Sequence, residues 1–61
     1  MNRFERTFLK KLADLSKEYG FVITEDGHIE PIQDWVDPSR PFEYIVEEDD
    51  SGIKITGVDL I

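Results

Sequence analysis

Residues 2–20 read Asn-Arg-Phe-Glu-Arg-Thr-Phe-Leu-Lys-Lys-Leu-Ala-Asp-Leu-Ser-Lys-Glu-Tyr-Gly, and their spacing decides the fold class. Phe4, Phe8, Leu12, Leu15 and Tyr19 recur at steps of four, four, three and four, the period of one helix face, and Leu9 and Ala13 widen that stripe. The pattern predicts an amphipathic helix over residues 2–19 that lays this stripe on the core, with Leu12 as its central stabilising side chain. Asn2 stands three residues before Glu5 and can cap the free N–H groups. Gly20 falls where a left-handed residue closes a helix. On the outer side, Arg3, Arg6, Lys10 and Lys17 follow helical spacing, interrupted by Asp14.

Beyond Gly20 the period changes to two. Phe21 to Thr24 and Ile29 to Ile32, around Asp26 and Gly27, read as a hairpin that opposes Phe21 to Ile32 and Thr24 to Ile29. Pro31 lacks an N–H donor, which makes the second strand short or places it at an edge. Asp37, Pro38 and Ser39 suit a turn within the loop 33–41. Phe42 to Glu48 and Ile53 to Val58 read as the clearest strands. Opposing Glu48 to Ile53 puts Val46 against Ile55 and Glu47 against Lys54, and places Gly57 opposite Tyr44. The expected fold is a single α+β domain over residues 1–61. Its N-terminal helix packs on a four-stranded antiparallel meander, in the order αββββ.

Charge is divided unevenly. Residues 1–19 hold five bases against three acids, a net of +2, whereas the rest set eleven acids against Arg40 and Lys54, a net of −9. The overall −7 repels phosphate backbones, so direct nucleic-acid binding is not expected and a larger partner with a basic surface is favoured. A chain of 61 residues buries only about 60% of its unfolded surface, so association with a second copy is an open alternative. No Cys is present, the longest apolar runs are far short of a membrane span, and a soluble cytoplasmic chain is the expectation. A weak DNA, RNA or anionic-membrane contact through the basic helix edge is the remaining alternative.

Catalytic chemistry has little to work with. His28 is the one histidine, it flanks a turn with nothing to orient it, and the serines at 16, 39 and 51 lie in no nucleophile motif. No enzyme activity and no cofactor are expected. The tract Glu47, Glu48, Asp49 and Asp50 lacks the alternating spacing and closing Glu of a calcium loop, so it reads as a solvated hairpin tip and no metal is expected.

Candidate partner contacts are Trp35, Arg40, Glu43, Glu47, Glu48, Asp49 and Asp50. Trp and Arg are the types enriched in binding hot spots, and rows of carboxylates about 7 Å apart on one strand face can imitate a phosphate backbone. For Trp35 itself the expectation is burial, with Ile32 and Phe42 seating the indole against the sheet; exposure would make it a contact instead.

Leu12, Leu15, Ser16, Tyr19, Gly20, Phe21 and Ile23 form an amphipathic helix running through Tyr-Gly into a strand. That third of the chain resembles small accessory proteins of bacteriophages and prophages. The resemblance implies a compact accessory protein, in some members one that blocks a host enzyme, such as a nucleic-acid-handling one, or a defence complex, and it carries over no site residue.

Overall fold

The computed structural model describes residues 1–61. Its elements are helix α1 (Arg3–Tyr19), strands β1 (Phe21–Ile23) and β2 (Ile29–Pro31), a short 3₁₀ turn (Ile32–Asp34), and strands β3 (Phe42–Asp49) and β4 (Gly52–Leu60). The fold is α+β with four strands, as the periodicities require.

Both ends of α1 are closed as the sequence indicates. The Asn2 side chain accepts from the Glu5 N–H at 2.9 Å while the Glu5 carboxylate accepts from the Asn2 N–H at 2.9 Å. These two bonds satisfy backbone donors that a helix start otherwise leaves free. At the other end Gly20 takes φ +80° and its N–H donates to the Ser16 carbonyl. A side chain there would meet nothing within 4 Å, so the preference for glycine comes from the backbone alone.

The helix is rotated from the expected phase. Its buried residues are Ala13 and Ser16, with Leu9 and Leu12 partly buried beside them. Phe4, Phe8, Leu15 and Tyr19 stand 74%, 61%, 51% and 68% exposed. The cause is close approach: Ala13 and Ser16 lie one turn apart and are small, which lets the Tyr44 ring of β3 come against the helix. There the Tyr44 hydroxyl meets Ser16 Oγ at 2.6 Å and accepts from the Ile23 N–H at 3.1 Å. Leu12 consequently sits at the edge of the packed face rather than at its centre.

The strands form two separate two-stranded antiparallel sheets instead of one meander. In the first, Phe21 pairs with Pro31, Val22 with Glu30 and Ile23 with Ile29, one residue away from the expected register. The loop spans three residues: Thr24 N–H bonds to the His28 carbonyl, and Gly27, at φ +78°, supplies the left-handed residue such a loop needs. Odd loop length shifts the register by one. Pro31 then ends β2, the 3₁₀ turn leads the chain away, and Ile32 turns into the core while its N–H bonds to the Gly20 carbonyl.

In the second sheet, Glu48–Ile53, Glu47–Lys54 and Val46–Ile55 pair as expected. A bulge then skips Thr56, whose hydroxyl bonds to the Ile45 carbonyl at 3.2 Å, so Gly57 faces Ile45 and Tyr44 faces Val58. Gly57 is therefore not making room for Tyr44. A Cβ at Gly57 would lie 3.9 Å from Ile45 Cδ1, an ordinary contact.

The core consists of Ala13, Val22, Ile32, Phe42 and Tyr44, with Phe42 and Tyr44 edge to face at 5.6 Å between centroids. One tyrosine thus joins α1, β1 and β3. Tyr44→Phe keeps the ring but leaves Ser16 Oγ and the Ile23 N–H without their partner. The expected loss is ~1 to 3 kcal/mol of unfolding free energy, read by denaturant titration.

Candidate functional interface

The residues singled out as partner contacts do not converge. Trp35 and Arg40 lie in the loop before β3, whereas Glu47 to Asp50 form the far end of that strand and its turn. The eight residues of β3, from Phe42 to Asp49, span roughly 23 Å.

Trp35 is 46% exposed, against the expectation of burial. Ile32 and Val36, four residues apart, take the inward positions, and the Trp35 indole is left at the rim with its Nε1–H 3.4 Å from Glu30 Oε1. Arg40 is exposed five residues further on, at the end of the Asp37 turn.

The acidic residues divide between the two faces of the β3–β4 ribbon. Glu43 and Glu47 alternate with the buried Phe42 and Tyr44, so they point outward together with their cross-strand partners Asp59 and Lys54. Glu48 belongs to the opposite face and forms an ion pair with the Met1 α-ammonium, which places the acidic tip beside the start of α1. Asp50 is exposed at the turn.

Asp49 and Asp37 do a shared structural task. Asp49 Oδ1 accepts from the Ser51 hydroxyl and N–H at 2.8 Å each, and Asp37 Oδ1 accepts from the Ser39 hydroxyl at 2.7 Å and N–H at 2.9 Å. These bonds favour the charged carboxylates, and the serine hydroxyl bond leads in holding both acids below the ordinary aspartate value. Because the folded value is the lower one, this support of the two turns is full above the ordinary aspartate range. It is lost as pH falls through the depressed values.

No group of three or more His, Cys, Asp or Glu side chains is arranged to hold a metal ion. His28 is exposed and lends only its backbone carbonyl to the β1–β2 turn. No helix is long and apolar enough to cross a membrane.

Two grooves flank α1. One, of about 550 Å³, runs between the basic edge of the helix and the start of β3. Leu9, Ala13 and Phe42 contribute its apolar part, and Arg6, Lys10 and Lys17 are offset by Asp14 and Glu43. The other, of about 360 Å³, lies toward β4 between Phe8, Leu9 and Leu12 of the helix and Ile23, Ile53 and Ile55 of the strands, with Glu5 the single charged residue. It opens beside the exposed stripe of Phe4, Phe8, Leu15 and Tyr19. Phe8 belongs to both this groove and the stripe. Sequence periodicity found these residues but assigned them to the interior.

No protein-family model, curated protein or solved structure matches this chain.

Two measurements check these placements. Trp35→Ala is expected to change stability by less than ~1 kcal/mol, and the emission of the folded protein should be red-shifted and readily quenched by iodide. In a carboxyl NMR titration Asp37 and Asp49 should lose their charge below the ordinary aspartate range, with the Ser39 and Ser51 amide signals moving in step.

Proposed function

We propose that this chain is a cytoplasmic, non-catalytic protein-interaction module that binds through the apolar face of α1. The observation that carries the reading is the exposure of four large apolar side chains in register along one helix, next to an apolar groove. Single exposed apolar residues are ordinary on a protein surface, but a contiguous patch of this size marks a place where another protein sits. Aromatic side chains in such a patch are the usual energetic centre of an interface.

A second surface belongs to the same proposal. On the outer face of the ribbon Glu43 stands directly opposite Asp59, an arrangement that costs stability rather than adding to it. No side-chain salt bridge neutralises either acid. An uncompensated acidic face of this kind suits a larger protein with a basic surface. It is also what an accessory protein would need to occupy a site that otherwise takes nucleic acid. The acidic tip and the outer ribbon face steer such an encounter over distance, apart from the contact made by the apolar face of α1.

Affinity capture from the native cell extract tests the reading. Phe8→Asp should lose a protein that the unaltered chain retains. Replacing Glu47, Glu48, Asp49 and Asp50 with Gln or Asn should slow association about tenfold at low salt and flatten its salt dependence. A partner held equally well by all three forms would remove the proposal.

A further inference from the structure

We infer that the apolar face of α1 is covered by a second copy of this chain, the two helices lying antiparallel about a two-fold axis that passes near Leu12. This rests on the reading of that face as an interface and specifies its occupant.

The first ground is area. A folded monomer of 7.1 kDa is expected to expose about 4,100 Å², and this chain exposes 4651 Å². The excess is about 550 Å². At roughly 200 Å² per large side chain, the exposed fractions of Phe4, Phe8, Leu15 and Tyr19 amount to roughly 500 Å². The surplus surface and the stripe are thus of one size. Two copies joined there bury roughly 1,000 Å² from those residues alone, the lower bound for a specific interface. Leu12, Ile23, Ile53 and Ile55 around the groove add to it.

The second ground is self-complementarity. A two-fold interface requires that if residue i meets residue j, then j meets i. Reversing the helix about the midpoint between Lys11 and Leu12 carries position 4 onto 19 and position 8 onto 15. Phe4 then faces Tyr19 of the partner subunit, Phe8 faces Leu15 of the partner subunit, and Leu12 lies next to its own copy. The four exposed stripe residues map onto themselves as a set, and none of them is charged.

Charge decides the orientation. The Met1–Glu48 ion pair places the acidic tip by the start of α1. A parallel pair would bring both tips together. The antiparallel pair separates them by about the length of the 17-residue helix, roughly 25 Å, against a screening length of about 8 Å at physiological salt. In the antiparallel pair the two acidic tips therefore add little to the repulsion between copies.

Sedimentation equilibrium from 5 to 500 μM, given as approximate working concentrations, should show conversion to twice the 7.1 kDa monomer mass. Phe8→Asp should raise the dissociation constant at least ~30-fold with helical circular dichroism retained, and Tyr19→Lys provides a second variant if the first does not fold. The chain has no cysteine, so Phe8→Cys and Leu15→Cys report orientation directly. Mixed and oxidised, the two variants should form the 8-to-15 disulfide faster than either forms a disulfide with itself. A monomer throughout, a dimer indifferent to both stripe variants, or preferential 8-to-8 linkage would each overturn the inference. In the monomer case, capture of a different protein that Phe8→Asp abolishes would leave the interaction reading standing, and its absence would remove both.

Discussion

The Tyr44 hydroxyl is the point on which the structure depends. It sits between Ser16 of the helix and the backbone N–H of Ile23, so the consecutive elements α1 and β1 and the distant strand β3 converge on one oxygen. A buried hydroxyl without partners is costly, and so is a buried N–H. Bonding them to each other fixes the roll of α1, the end of β1 and the height of β3 together. The small side chains at 13 and 16 are the complement of that arrangement, because larger ones would hold the ring away from the helix. Thr24 shows the opposite case: its buried hydroxyl has no protein partner.

Rolling the helix toward Tyr44 has a consequence for the rest of the surface. A two-stranded ribbon is only about 10 Å wide, the breadth of a single helix. It covers half of an apolar arc that extends from Ala13 through Leu12 to Phe4. The remainder faces solvent beside the inner residues of β4. A thin core and an uncovered apolar face are thus two results of one geometry, and association is the economical way for a short chain to complete its burial.

Charge follows a complementary plan. The exposed stripe is free of acids, while Glu43, Glu47, Glu48, Asp49, Asp50 and Asp59 lie on the β3–β4 ribbon and its turn. Asp49 and Asp37 are partly used up in organising their own turns through serines two residues on. Glu43, Glu47 and Asp50 have no such bond. The acidic outer face of the ribbon and the apolar stripe of α1 therefore lie on different parts of the surface.

Local features were legible in the residues themselves. The Asn2–Glu5 capping box, the Gly20 helix end and the pairing of Val46 with Ile55 depend on neighbours in sequence or on one tight turn, and they appear as the spacing indicates. The α+β class follows from the change of period after Gly20. Three things were decided only by the tertiary structure: which part of the helix arc is buried, whether the strands join into one sheet, and where Trp35 points. Amphipathicity gives the width of an apolar arc but not its roll, which the reach of the Tyr44 hydroxyl to Ser16 selects. Alternation gives strands but not their register, which a three-residue loop at Gly27 and a bulge at Thr56 each shift by one. Trp35 lost the inward position to Ile32 and Val36 because the 3₁₀ turn presents those two to the core. The candidate interface was visible as a pattern of residues, but its exposure was not, because burial is a property of the whole packed chain.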